Sequence, residues 1–361
     1  MKERLLYIDQ LKGIAILLVV MGHFIQYNSL ESTGNTLFSA IYSFHMPLFM
    51  FISGYVAFKT IRIDIFNKYS AFLIKKVNTL LVPFFVWPLI VDNFFFAKKP
   101  EYNFIHTLKT LVNEPSTGLW FLWYLFFLTV FYSAFLYLSN RINKKNNLVL
   151  DAFIAFLLLS VVGGFYIMQV ADYIDAFIQY FAFFFTGVFI SKYNNLNKLL
   201  LDTRIFSICL LAFIVLCVHF SFDDPAFHHV GPILLLKLII SLTAIASLYY
   251  IVRNIGWHPI IDKYIRLWGA YSIVIYATHF KFIYIFSDIF PLPPMHIFLL
   301  TIIDLLVSLI IIFASMFIYR IVELCPPLNY LLYGNKKVQT TSKKSESPIM
   351  FNDVTTSNYP N

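Results

Sequence analysis

The chain has 361 residues, of which 59% are hydrophobic and only 13% are charged. Soluble domains carry roughly 25% charged residues, so this composition excludes an ordinary soluble globular fold. The formal net charge of +8 needs no nucleic-acid partner, because basic segments facing anionic membrane lipid explain it. The composition therefore predicts an integral membrane protein.

Ten hydrophobic segments follow one another along the chain. A helix needs roughly 20 apolar residues to cross about 30 Å of hydrocarbon. Candidate spans lie near residues 13–30, 38–58, 77–96, 119–139, 148–168, 173–191, 205–221, 232–252, 267–289 and 297–319. The sequence thus predicts an all-α, polytopic bundle of about ten transmembrane helices, the third of which is kinked by Pro83 and Pro88.

The basic residues sort to one side of this bundle. With an internal N-terminus, 22 of the 27 Lys and Arg residues fall in inner segments and three in outer loops. Such asymmetry predicts that both termini are cytoplasmic, in a multi-pass protein of the cell inner or plasma membrane. No small-residue cleavage site follows the first apolar core, so the first helix is expected to remain uncleaved.

Two regions differ in composition. Residues 1–334 are expected to form one membrane domain, whereas residues 335–361 turn polar and predict a disordered cytoplasmic tail. The three cysteines show no spacing typical of a disulfide framework or a metal site.

The first helix carries three ionisable residues where the membrane makes them costly. Asp9 and Lys12 are three residues apart and share a face. His23 follows Lys12 after 11 residues, almost three helical turns, so it lies on the same stripe roughly 16 Å deeper. Intramembrane ionisable residues of this kind indicate a functional site.

Two further helices carry histidines to a similar depth. His45 lies 14 residues before Lys59 in helix 2, roughly 21 Å from the inner boundary. His279 lies 13 residues beyond Arg266, roughly 20 Å deep. If these helices are neighbours, the three histidines converge, and Ser53 adds a small polar side chain to the same region.

Structural roles are alternatives for several of these residues. A membrane histidine such as His279 also suits a hydrogen bond between helices. Lys281 and Asp304 are expected to form an ion pair between the last two spans. Trp120 lies at the outer end of its helix, where aromatic belts are ordinary.

A buried imidazole near a basic residue suits acyl transfer. Neutral histidine accepts the proton of an attacking hydroxyl or attacks a thioester itself, and inner cationic residues attract the phosphates of coenzyme A. A purely structural polar pair is the alternative, and the spacing alone does not decide between them.

Four segments carry a resemblance to a known family. The segment LYIDQLKGIAILLVVMGH (residues 6–23) is similar to the opening signature of the membrane acyltransferase-3 family, in which an Asp and a basic residue precede a His by a fixed spacing. FHMPLFMFISGY (44–55) resembles the family's second-helix block, and GLWFLWYL and GAYSIVIYATH resemble later blocks. The fucose 4-O-acetylase-like branch is the most similar one.

The resemblance implies roles for individual residues. His23 is the implied catalytic residue, and Asp9 and Lys12 are implied to handle the acyl donor. The family's Arg-x-x-Arg motif is replaced here by Lys76 and Thr79, so only the first donor-binding position keeps its charge. The expected lining of the substrate cavity consists of His45, Ser53, Trp120 and His279.

The resulting hypothesis is an O-acyltransferase. It would move an acyl group, most simply acetyl, from cytoplasmic acyl-CoA to a hydroxyl of a glycan or glycolipid, with His23 as general base or transient acyl carrier. Acyl-CoA is a co-substrate here, and no bound cofactor or metal is expected. The alternatives are an exporter of a polysaccharide or lipid-linked precursor, and a non-catalytic assembly partner.

Overall fold

The computed structural model describes residues 5–28, 36–60, 69–96, 103–167, 174–219, 232–289 and 297–334. Across these ranges the chain is α-helical, with short π- and 3-10-helical stretches and without a β-strand. The predicted all-α fold is therefore confirmed. The predicted disordered tail, 335–361, lies outside the described residues.

Fifteen α-helices occur in the described ranges. In chain order they are α1 (Leu6–Asn28), α2 (Thr36–Thr60), α3 (Tyr69–Lys76), α4 (Val82–Val86), α5 (Phe104–Asn113), α6 (Trp120–Ile142), α7 (Leu148–Ile167), α8 (Ile174–Lys192), α9 (Asn194–Leu200), α10 (Thr203–His219), α11 (Pro232–Asn254), α12 (Pro259–Ala270), α13 (Ser272–Ile289), α14 (Ile297–Val322) and α15 (Pro326–Tyr333).

Six of the described helices are long and apolar enough to cross a membrane, and a seventh span results if a bent pair counts as one. The six are Leu6–Asn28, Thr36–Thr60, Tyr69–Asn93, Trp120–Ile142, Leu235–Asn254 and Phe298–Val322. The bent pair is Ala176–Lys192 with Asn194–Leu200, at 106°. Leu148–Gly164, Thr203–Cys217 and Ser272–Ile285 are shorter apolar helices. The chain is thus a multi-pass membrane protein with six or seven spans supported by length and composition within the described residues, and the predicted count of ten stays a prediction.

The third span contains two π-helical stretches instead of a simple proline kink. Val77–Leu81 and Trp87–Phe96 flank the five residues of α4. Pro83 and Pro88 have no backbone N–H to give to the preceding turn. Wider π turns accommodate such interruptions within a continuous helix, and the span still runs from Tyr69 to Asn93.

The ninth predicted segment, 267–289, is divided between two helices. Its first residues belong to α12, and the rest belong to the apolar helix α13. Polar residues occupy one side of α12, where Asp262 pairs with Arg266 at 2.6 Å and accepts a hydrogen bond from Gln10 at 2.7 Å. An amphipathic helix of this kind suits a membrane surface better than its interior, which the hydrophobic run alone did not reveal.

Small residues set the helix packing around α1 and α2. Gly13 of α1 lies against the backbone of Ile265 in α12, and Gly54 of α2 lies against the backbone of Phe184 in α8. A Cβ atom at either glycine would overlap a backbone carbonyl. Since close backbone approach through small residues is a main mode of helix association in lipid, these contacts fix α1 and α2 within the bundle.

Candidate functional site

Three histidines from three helices meet beside one another. The ring centroid of His23 in α1 lies 6.2 Å from that of His45 in α2 and 5.3 Å from that of His279 in α13. His45 and His279 are almost completely buried, whereas His23 keeps a partly exposed ring. The depths expected from the sequence thus correspond to a real cluster, hereafter the histidine cluster (His23, His45 and His279).

Backbone carbonyls determine which nitrogen carries the proton in the two buried histidine rings. Nδ1 of His45 lies 2.8 Å from the carbonyl oxygen of Ile41, and Nδ1 of His279 lies 2.8 Å from that of Tyr276. A carbonyl oxygen only accepts, so each Nδ1 must donate its proton. In the neutral rings, both Nε2 atoms therefore carry lone pairs, and Nε2 of His279 has no hydrogen-bond partner within the described ranges.

His23 has side-chain partners instead. Its Nδ1 lies 2.8 Å from the hydroxyl of Tyr42 and 3.3 Å from Oε1 of Gln26. The Tyr42 hydroxyl in turn donates to the same Gln26 oxygen. Sequence reasoning missed both partners, although Gln26 follows His23 by three residues and Tyr42 precedes His45 by three, which places each on its histidine's face.

A cavity of about 180 Å³ lies between α1, α2, α3, α6 and α13. Its polar lining consists of Lys12, Ser53, Thr60, Lys76, Thr129 and Ser272, and its apolar lining includes Met46, Phe49, Phe121 and Tyr276. Three residues expected at the site from the sequence, Lys12, Lys76 and Ser53, therefore share one cavity.

One wall of the cavity adjoins the histidine cluster. Met46, which lines it, adjoins His45 in the chain, and the ring of Tyr276 lies 5.9 Å from that of His279. The Tyr276 hydroxyl accepts a hydrogen bond from the backbone N–H of Phe121 at 3.2 Å, so this part of the wall is held in place. The cavity therefore has two lysines in its lining, and one of its walls adjoins the histidine cluster, although none of the three histidines, His23 included, lines it.

Four residues expected at the donor site or in the cavity lie outside the lining. His45 and His279 lie behind it, in the histidine cluster. Trp120 stacks on Tyr180, with ring centroids 5.4 Å apart, and its neighbour in α6 reaches the cavity instead. Asp9 is buried at the tight contact between α1 and α12. Helix periodicity places a residue on a face, but it does not show which neighbouring helix covers that face.

The expected Lys281–Asp304 pair is wrong. Lys281 forms its ion pair with Asp92, at the end of the third span. Asp304 is buried, and neither of its carboxylate oxygens has a hydrogen-bond partner among the described residues. The sequence predicted that the last two spans are antiparallel neighbours, but it did not show which of their faces meet, and Asp304 was therefore the wrong partner for Lys281.

A second buried polar cluster, which sequence reasoning missed, joins α6, α7 and α8. Asp151 is completely buried, and its two oxygens accept hydrogen bonds from Ser139 and Asn143, both at 2.7 Å, from Lys192 at 2.5 Å and from Tyr193 at 2.6 Å. We name these five residues the Asp151 cluster. Every lone pair is satisfied, so the arrangement suits structural support.

Comparison with known proteins identifies the type of chain. A family described as an acyltransferase domain, acyltransferase 3, matches residues 5–320. The chain is 35% identical over 150 residues to the nodulation protein NolL of Sinorhizobium fredii, covering 39% of this chain and 40% of the relative. It is 34% identical over 126 residues to NolL of Mesorhizobium japonicum, covering 34% and 33%. The alignments thus span less than half of these relatives, and no solved structure matches.

Proposed function

This chain belongs to the membrane acyltransferase-3 family, and we propose that it transfers an acetyl group from cytoplasmic acetyl-CoA to a hydroxyl of a cell-envelope or exported glycan. The family makes it an acyltransferase; donor and acceptor are our proposal. The observation that carries the proposal is the cavity, which has two lysines in its lining and one wall packed against the histidine cluster through Tyr276.

In the topology we propose, the acyl donor enters from the cytoplasmic side of the membrane. All ten hydrophobic segments would span the inner membrane, with both termini in the cytoplasm, as the distribution of basic residues favours. Lys12 and Lys76 would then lie near the cytoplasmic boundary and bind the phosphates of acetyl-CoA. The acyl-bearing arm would extend along Ser53 and Tyr276 toward the histidine cluster.

In the proposed reaction His23 acts as general base. Its imidazole takes the proton of the sugar hydroxyl as the hydroxyl oxygen attacks the thioester carbonyl carbon. A new C–O bond forms, the C–S bond breaks, and the leaving thiolate takes the proton from the imidazolium. The products are the sugar ester and free coenzyme A, and His23 returns to its starting state.

A labelling experiment tests this function. Membranes with and without the protein are supplied with radiolabelled acetyl-CoA, and label is then counted in extracted glycan. We expect label in glycan only when the protein is present. A protein that moves unlabelled glycan across the membrane, without any acetyl label, would instead be the exporter considered above.

A further inference from the structure

We propose that Tyr42 and Gln26 are positioning residues that hold His23 in the tautomer with its proton on Nδ1, so that Nε2 is the atom that accepts the substrate proton. The inference rests on the proposed role of His23 as general base. It adds two residues and one specific nitrogen to that role.

The hydrogen-bond chain carries the inference. The Tyr42 hydroxyl has a single proton, and it donates that proton to Oε1 of Gln26. The contact of 2.8 Å between this hydroxyl and Nδ1 of His23 can then form only if Nδ1 donates. Oε1 of Gln26, at 3.3 Å from Nδ1, is likewise an acceptor. Both partners therefore require a protonated Nδ1.

Packing holds this chain of groups in place. The Tyr42 ring lies 4.2 Å from Phe38 and 4.8 Å from His45, measured between centroids, and edge-on to His23 at 5.8 Å. Gln26 lies one turn beyond His23 on the same helix, α1. The partner of one imidazole nitrogen decides which nitrogen is protonated, so a fixed acceptor pair leaves Nε2 with its lone pair.

The orientation of the Gln26 amide decides the tautomer. If the NH₂ group of Gln26 faced Tyr42, it would donate to the tyrosine hydroxyl, and that hydroxyl would donate its own proton to Nδ1 of His23. The proton of the His23 ring would then lie on Nε2, and Nε2 could not accept the substrate proton. Glutamate at position 26 can only accept, whereas leucine can do neither. These two substitutions therefore separate the two tautomers.

Kinetics of acetyl transfer provide the first test. We expect Y42F, which keeps the ring and loses the hydroxyl, to lower kcat about tenfold with an unchanged KM for acetyl-CoA. Q26L should lower kcat by a similar factor, whereas Q26E should retain activity. The acidic limb of the pH–rate profile of Q26E should move to higher pH, because a carboxylate beside His23 favours the imidazolium. Y132F is the matched control, since the buried Tyr132 hydroxyl has no partner among the described residues.

Solid-state NMR of protein labelled with nitrogen-15 histidine provides a test that needs no turnover. The His23 signals, found by difference from H23A, should show a protonated Nδ1 in the wild type and in Q26E, and a mixed or reversed tautomer in Y42F and Q26L.

A protonated Nε2 in the wild type overturns the proposal, and so does a Q26E variant that is less active than Q26L. If H23A abolishes transfer while Y42F and Q26L keep wild-type kcat, the proposed function stands and the positioning role fails. Should Y42F not fold, the position-26 variants, on an exposed part of α1, still decide.

Discussion

Two clusters of polar residues lie buried in this membrane protein, and they differ in how completely their hydrogen bonds are satisfied. In the Asp151 cluster, four donors surround one carboxylate, and both of its oxygens are used. In the histidine cluster, Nε2 of His279 has no partner within the described ranges, and His23 remains partly exposed. Buried polar groups are normally satisfied, and the incomplete cluster is the one to which we assign the proposed contact with substrate.

The contrast also separates two kinds of contribution. A saturated network stabilises the helices it joins, because removing one member leaves the others buried without partners. A network with unused hydrogen-bonding atoms contributes less to the stability of the fold, and its free lone pairs can accept a proton from a substrate. The two clusters should therefore respond oppositely to substitution, one in stability and the other in transfer rate.

The largest expected effect is on activity. H23A should lower acetyl transfer about 100-fold or more, since general acid–base catalysis contributes about that factor. Its melting temperature should remain close to that of the wild type, because the partly exposed ring satisfies no backbone group. Steady-state transfer by protein in liposomes and thermal unfolding of the same preparation measure the two quantities. Transfer at the wild-type rate in H23A contradicts the assignment.

The next effect is on stability. D151A should destabilise the protein by about 3–5 kcal/mol, because it leaves the Lys192 ammonium buried without its charge partner. Thermal unfolding in detergent would show a large decrease in melting temperature. A melting temperature unchanged in D151A would mean that the network does not hold α6, α7 and α8 together.

A smaller effect is expected on donor binding. K12A and K76A should each raise the KM for acetyl-CoA about tenfold, as expected for one charge-assisted hydrogen bond to phosphate, with little change in kcat. K75A is the matched control, because Lys75 is an exposed neighbour of Lys76 that does not line the cavity. If K75A alone raises the KM, the donor phosphates lie outside the cavity.

The smallest effects concern the residues whose pairing differs from expectation. D304N should leave stability within about 1 kcal/mol of the wild type or raise it, because the carboxylate it replaces has no hydrogen-bond partner among the described residues. D92N removes the charge partner of Lys281 and should cost about 1 kcal/mol. Melting curves of the two variants side by side test the pairing. Destabilisation of D304N alone would restore the original Lys281–Asp304 assignment.

The all-α fold could be predicted because membrane burial requires long apolar segments, and six or seven of the ten predicted spans are long and apolar enough in the described residues to cross a membrane. The histidine cluster could be anticipated because helical rise converts residue spacing into depth. The partners of individual side chains could not be. Tyr42 reaches His23 from the neighbouring helix α2, and Lys192 reaches Asp151 across 41 residues. Such contacts depend on which helix faces meet, and hydropathy does not encode that.

Turnover of H23A and D151A, measured together and normalised to folded protein, tests the account most directly. Radiolabelled acetyl-CoA, liposomes containing each variant and extracted glycan acceptor are sufficient. We predict that folded D151A transfers acetyl within about threefold of the wild-type rate, as expected for a change outside the site, while folded H23A transfers almost none. Wild-type turnover in H23A, together with inactive folded D151A, would contradict the assignment of catalysis to the histidine cluster.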